Sequence, residues 1–341
     1  MKRGVFAAIS LGIFVCLLLL GFSDSYAAEK VYSFKFAQFM PSEHIITMNT
    51  QEWCKEVERR TNGRVKVTLY PGSTMMPVQQ TYDSVTKGIA DMGFGIFAYH
   101  RGRFPLTEVI DLPLGYKKAS VATRMINEYY KKFNPKELAD TKVLWLSTHG
   151  PGILSLKKPI NRLEDIKGLK VRCSGLGTKI VTALGAAPVS LPITDAYDAL
   201  SKGVAEGLLL DIGGVHNYSL GDVVKYHVEN FGSAYVTGFY AVMNKDKWKG
   251  LPPDLQKIID TINAEWIEKA AAVWDQWDAN GREAMKKKGN TFIRLSKEED
   301  ARWAEKMKPI LAEYVQTTKS KGLPGDQALQ FCLDYLKKND K

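Results

Sequence analysis

Two hydrophobic periods alternate along the chain. Val31 to Phe36 sets Tyr and Phe between Val, Ser and Lys, the period-two pattern of a strand, and stops at Gln38-Phe39-Met40-Pro41. From Ile45 to Arg60 the apolar residues Ile45, Met48, Trp53 and Val57 fall roughly on one face, which predicts a helix ended by Thr61-Asn62-Gly63. Arg64 to Tyr70 alternates again and closes at Pro71-Gly72, and a helix, a glycine and the apolar strand Ala90 to Phe97 follow. A β-α-β-α-β series of this kind predicts an α/β lobe with helices packed on a mostly parallel sheet.

The same grammar restarts at Val143 to Ser147. It continues through Leu169 to Arg172, a helix from Thr178 to Leu184, Ala187-Pro188-Val189, a helix from Thr194 to Lys202 and the strand Gly207 to Leu210. This predicts a second, smaller α/β lobe, with a further strand-like run from Tyr235 to Met243. Pro252-Pro253-Asp254 then opens a stretch that reaches about Lys288 without another proline. Leu255, Ile258, Ile259, Ile262, Trp266, Val273, Trp274 and Trp277 recur along it at three- and four-residue intervals. At 1.5 Å per residue the predicted helix is about 50 Å long, enough to lie across two lobes. A coiled coil fits less well, because the seam is short and aromatic. Glu298 to Lys319 and Asp326 to Lys338 predict two peripheral helices. The first lobe is expected at residues 28–150 with about 241–280. The second is expected at 151–240 with about 281–341, including the C-terminal helices.

The extreme N-terminus follows a different logic. Lys2 and Arg3 head an apolar stretch from Val5 to Phe22, and Ser25-Tyr26-Ala27 supplies small residues behind it. This predicts a signal peptide at residues 1–27, cleaved after Ala27 with Ala28 the alternative, and hence an exported protein. A membrane anchor is disfavoured, since the apolar stretch is short and broken by Gly12 and Gly21. Cys54, Cys173 and Cys332 remain, an odd number that excludes a full disulfide framework. Buried thiols and a single Cys54–Cys332 bridge both stay open.

Composition narrows the function. With 45% apolar and 11% aromatic residues there is material for one or two cores, and a disordered chain is excluded. The formal charge of +10 raises the prospect of a polyanion partner. The lysines, however, pair up at Lys117-Lys118, Lys131-Lys132, Lys157-Lys158, Lys286-Lys287-Lys288 and Lys337-Lys338, at helix ends and loops rather than interleaved with aromatics. They read as a solvating surface, with no nucleic acid partner. The five histidines are dispersed, without zinc spacing, and no G-x-S-x-G elbow or phosphate loop occurs. Gly175-Leu176-Gly177-Thr178-Lys179-Ile180 begins like a dinucleotide loop but lacks its third glycine. The chain is therefore read as no enzyme, with no catalytic residue, no metal site and no cofactor assigned.

Arg172 stands apart. It ends the strand Leu169-Lys170-Val171, and Ser174-Gly175-Leu176-Gly177 leads straight into a helix. That is the edge where open α/β sheets bind ligands, and a guanidinium fork fits a carboxylate bidentately. A structural salt bridge is the competing role for the same residue.

A series of motifs runs through Thr61-Asn62-Gly63-Arg64-Val65-Lys66-Val67, Tyr70-Pro71-Gly72 and Gly88-Ile89-Ala90-Asp91-Met92, then Pro159-Ile160 and Asp165 through Arg172. It continues through Leu184 to Val189, Asp195 to Leu200, Lys202 to Gly207, Asn244 to Trp248 and Leu251 to Gln256, covering nearly the whole chain after the leader. In this order the motifs resemble the DctP-type solute-binding proteins of tripartite ATP-independent periplasmic (TRAP) transporters. The resemblance implies a two-lobed, type II-like periplasmic binding protein with a long helix spanning both lobes and a ligand closed between them. It implies a periplasmic receptor that hands an organic acid to membrane permease subunits, with Arg172 on the ligand carboxylate. A receptor feeding a periplasmic sensor and a periplasmic hydrolase are the alternatives.

The departures from the family pattern shape the expected ligand. Glu206-Gly207-Leu208-Leu209-Leu210-Asp211 replaces a run that often supplies a carboxylate-binding amide in the family, and a second arginine of many members is replaced near Gly152. A small dicarboxylate is thereby disfavoured and a medium-sized or aromatic monocarboxylate favoured. Asp211 is expected to accept from a ligand hydroxyl or amine, or to hold a metal with the carboxylate, or to be solvated or paired with a lysine. Gln38, Phe39, Phe94 and Tyr99 of the first lobe, Tyr235 of the second and His149 at the crossover are further candidates, each with core packing as its competing role. Ligand identity and oligomeric state stay open.

Overall fold

The computed structural model describes residues 30–100 and 102–340; the leader read at residues 1–27 lies outside them. The strands are β1 (Tyr32–Gln38), β2 (Val65–Tyr70), β3 (Met92–Ile96), β4 (Thr141–Thr148), β5 (Ile153–Leu156), β6 (Lys170–Cys173), β7 (Ala187–Ser190), β8 (Gly207–Leu210), β9 (Tyr226–Glu229), β10 (Gly238–Asn244) and β11 (Thr291–Arg294). They form a five-stranded sheet of order β2-β1-β3-β10-β4 and a six-stranded sheet of order β11-β9-β5-β8-β6-β7. In the first, β1, β2 and β3 are parallel and β10 runs antiparallel to both β3 and β4. In the second, β6, β7 and β8 are parallel and β5 runs antiparallel to β8 and β9. The antiparallel strand of each sheet is the one that enters directly from the other lobe.

The helices are α1 (Ile45–Arg60), α2 (Thr81–Thr86), α3 (Ala119–Phe133), α4 (Gly177–Ala183), α5 (Ala196–Ser201), α6 (Ile212–Asn217), α7 (Lys245–Lys249), α8 (Pro253–Lys287), α9 (Lys297–Ser320) and α10 (Gly325–Asn339). The predicted spanning helix is α8. Along its first two-thirds it packs on α1, α3 and β4 of the first lobe, and near its end on α6 of the second. Reciprocal hydrogen bonds clip it to α1: Trp53 donates to Asn263 at 3.0 Å, and Trp266 donates to Asn49 at 3.1 Å. Both indoles are buried and satisfied, so their large apolar area is buried without leaving an N–H unpaired. At the far end α8 and α6 meet through glycines. A Cβ on Gly281 would stand 2.5 Å from the Ile212 carbonyl oxygen, and one on Gly213 would stand 2.0 Å from the Trp277 ring.

Three features differ from the sequence reading. The run read as one strand from Tyr235 starts at Gly238, in the first sheet. Tyr235 belongs to the crossover between β9 and β10, and its carbonyl accepts from Gly152 N–H of the other crossover at 2.7 Å. An extended crossover carries the same alternation as a strand, which is why the pattern ran through it. The C-terminal helix α10 returns to pack on α3 of the first lobe, and Asp340 accepts from Lys117 N–H at 2.7 Å. Finally, Cys54, Cys173 and Cys332 are all free and buried, so no Cys54–Cys332 bridge forms. Cys54 lies in the core beneath α1 and Cys332 in a separate cluster with α3 and α9. Among the described residues no helix is long and apolar enough to cross a membrane.

The glycine contact generates a test. Gly281→Ala is expected to lower stability by about 1–3 kcal/mol through overpacking, although alanine gains about 1 kcal/mol over glycine in an unconstrained helix interior. Chemical denaturation measures the difference, and a stabilised variant would show that α8 and α6 are not held at this distance.

Candidate functional site

The C-terminal ends of β1, β3 and β6, the two crossovers and α8 converge on a cavity of about 110 Å³ between the lobes. Phe39, Met40, His44, Ile96, Ala98 and Tyr99 reach it from the first lobe. Arg172, Ser174, Gly175, Leu176, Asp211 and Tyr218 reach it from the second, His149, Tyr235 and Thr237 from the crossovers, and Trp274 and Trp277 from α8.

Arg172 is fully buried. Its Nε and Nη2 donate to the Leu191 carbonyl at 3.0 and 2.7 Å, which locks the side edge of the guanidinium. Leu191 follows β7, the neighbour of β6, so the sheet register itself supplies that acceptor. Among the described residues no carboxylate pairs with the arginine, which lines the cavity. Burial pulls the Arg172 pKa down, opposed by the oxygens of Tyr235, Tyr99 and Tyr218 and by the Cys173 sulfur. The same burial pushes the phenols of Tyr99 and Tyr218 up and keeps them neutral donors.

The opposite wall is aromatic. Phe39, Phe94, Phe239 and Trp274 form one continuous stack, with centroids 6.2, 5.6 and 4.9 Å apart and rings within 24° of parallel. Phe94 lies inside this stack, behind the surface that Phe39 and Phe239 present to the cavity. Gln38 is also outside the cavity. It is buried toward α1, where its amide donates to Thr50 at 3.3 Å, because the alternation of β1 turns it away from Phe39. His149 sets its ring edge against Tyr235, 5.7 Å between centroids.

Asp211 lines the cavity but is neither solvated nor paired with a lysine. It caps α6, where its Oδ1 accepts from Gly214 N–H at 2.7 Å and from Trp277 Nε1 at 2.9 Å, tying the second lobe to the spanning helix. His44 stacks on Trp277 at 4.3 Å and accepts from Ile46 N–H, and burial drops its pKa to about 4 despite the opposing charge of Asp211. Asp278 is half-buried beside Gly150 of the crossover, with its Oδ1 out of solvent. Burial first, then the charge of Asp211, holds its carboxyl well above the usual range. Among the described residues no three His, Cys, Asp or Glu side chains converge as metal ligands.

His44, Asp111, Tyr218, Phe239, Trp274 and Trp277 line the cavity without having been singled out from sequence. The two tryptophans carried a signal, the periodic face of α8, but periodicity marks burial and does not separate core from cavity.

The family described as bacterial extracellular solute-binding protein, family 7, matches residues 36–318. A TRAP periplasmic solute-binding protein from Desulfovibrio salexigens is similar in structure, with a TM-score of 0.85 and 32% identity over 91% of this chain and 97% of that one. A TRAP solute-binding protein from Rhodoferax ferrireducens, in complex with copurified benzoate, has a TM-score of 0.82 and 31% identity over 91% and 99%. A marine-metagenome TRAP protein specific for aromatic acids, co-crystallized with 3-hydroxybenzoate, has a TM-score of 0.84 and 28% identity over 92% and 100%.

Asp278 has a pH signature. A carboxyl whose folded pKa is raised contributes stability that is complete below its unfolded pKa of 3.8 and lost as pH rises toward the folded value. Asp278→Asn, a neutral isostere, is therefore expected to be more stable than wild type at pH 8, with the gap closing toward pH 4. Scanning calorimetry across that range measures it, and equal stability at both ends would mean that Asp278 ionises freely.

Proposed function

The chain belongs to the bacterial extracellular solute-binding proteins of family 7, the DctP family, and from that premise we propose that it is a periplasmic receptor for an aromatic or medium-sized monocarboxylate, delivered to a TRAP permease. The observation that carries the ligand class is Arg172: a buried guanidinium whose one edge is held by a backbone carbonyl and whose other edge has no carboxylate from the protein. Burying a charge unpaired is costly, and a ligand carboxylate offsets that cost with two parallel hydrogen bonds. The single arginine suits one carboxylate, and the aromatic stack suits a flat apolar body beside it. The benzoate and 3-hydroxybenzoate bound by the two relatives are consistent with both features.

The proposed cycle is physical rather than chemical. The anion docks on Arg172 of the second lobe, its body meets Phe39 and Tyr99 of the first, and contact with both lobes favours the closed form. The crossovers and α8 accommodate the hinge motion. The closed receptor then meets the permease, and the ligand leaves unaltered, so no enzyme activity is proposed. Asp211 and His149 act by positioning Trp277 and Tyr235 around the ligand. Export through a leader cleaved near Ala27 places the receptor outside the cytoplasmic membrane.

Arg172→Met is expected to weaken benzoate binding about a hundredfold or more, in the range for truncating one partner of a buried charged pair. Isothermal titration measures this, with the released compound checked by mass spectrometry for being chemically unchanged. Affinity within a few-fold of wild type would remove Arg172 from the site.

A further inference from the structure

Asp111 is the cavity residue with no structural reason to be a full carboxyl. It ends a short 3₁₀ turn, Thr107–Asp111, and is 6% exposed. Its Oδ1 accepts from the N–H of Gly238, the first residue of β10, at 2.8 Å. That bond uses one oxygen. Among the described residues nothing donates to Oδ2, no cation pairs with the group, and the side chain lines the cavity that holds Arg172. It also lines an adjoining cavity of about 310 Å³ bounded by Phe97, His100, Phe104 and Lys179. Asp111 thus stands at the junction of the two spaces, on the lobe opposite Arg172.

The surroundings define the chemistry. Glu108 on the same turn adds negative charge, the hydroxyls of Tyr116 and Tyr235 lie near, and from the second lobe Arg172 lines one of the two cavities and Lys179 the other. Burial first, with Glu108 adding and the Gly238 N–H opposing, pushes the carboxyl up to about 8. At neutral pH it is chiefly the neutral acid, which both donates and accepts. Oδ2 has no partner from the protein, and a ligand substituent in the cavity can supply one.

We propose that Asp111 is the second recognition point of the cleft: it hydrogen-bonds a polar substituent on the ligand body away from the carboxylate, so that hydroxylated aromatic monocarboxylates are preferred over their unsubstituted parents. This rests on the reading that Arg172 holds the carboxylate. Because the two residues belong to opposite lobes, a ligand satisfying both bridges the cleft, and the substituent contributes to closure as well as to affinity.

Isothermal titration at pH 7 with benzoate and 3-hydroxybenzoate separates the two roles. Wild type is expected to bind the hydroxylated acid about tenfold tighter or more, and Asp111→Ala to bring that ratio near one. A ratio that is unchanged in the variant, or already near one in wild type, overturns the role of Asp111 while leaving Arg172 in place. Undiminished binding of both acids by Arg172→Met overturns the underlying reading instead. A second measurement needs no variant. 3-Methoxybenzoate can only accept at its ether oxygen, so its affinity relative to benzoate is expected to fall from pH 7 to pH 9 as Asp111 loses its proton. A constant relative affinity across that range counts against the proposal, and failure of wild type to bind any of the three acids overturns both readings.

Discussion

A guanidinium held out of water without a counter-ion is the constraint around which the cleft is built. An unpaired buried ion costs several kcal/mol even after the protein relaxes around it. Here one backbone carbonyl, that of Leu191, supplies partial compensation through two hydrogen bonds. The carbonyl comes from the turn after β7, and the arginine from its neighbour β6, so the parallel register of two four-residue strands sets the orientation of the fork. A flexible side chain would let the charge reach solvent. Locking one edge prevents that and keeps the other edge directed at the cavity before any ligand arrives, the preorganisation that lowers the entropy cost of binding.

The spanning helix translates this local arrangement into a two-lobe device. Its early turns belong to the first lobe through the paired tryptophan–asparagine bonds, and its late turns to the second through the glycine contact with α6. Trp274 and Trp277 sit between these anchors and form part of the cavity wall. Near that segment the Asp211 carboxylate is held by the Gly214 N–H and the Trp277 indole, burial lowers the His44 pKa, and burial together with the charge of Asp211 raises that of Asp278.

Much of this was legible in the chain. Two α/β lobes followed from the alternation of periods, and α8 from an unbroken apolar face closed by Gly289. The four-residue strands β5, β9 and β11 were not, whereas the equally short β6, β7 and β8 were, because each of these adjoins a helix of a strand–helix series that marks it out. At the site, Arg172 was marked by its place at a strand end, and Phe39, Tyr99, Tyr235 and His149 fall in the cavity wall. Gln38 and Phe94 sit one layer back, because proximity to a strand end does not say which face a side chain takes. Asp111 could not be found from pattern. It lies in a short turn without repeat, and its significance comes from Gly238, 127 positions away, whose N–H occupies one of its oxygens.

The strand order of the first sheet bears on how the molecule assembles. β4 is joined to its sheet only through β10, and β10 is made after the whole of the second lobe's parallel unit. Until residue 244 is available, the first lobe lacks the strand that seals its core, and β4 lacks any partner. The first lobe cannot mature alone, so its folding waits for contacts that span about a hundred residues, the kind of topology that folds slowly.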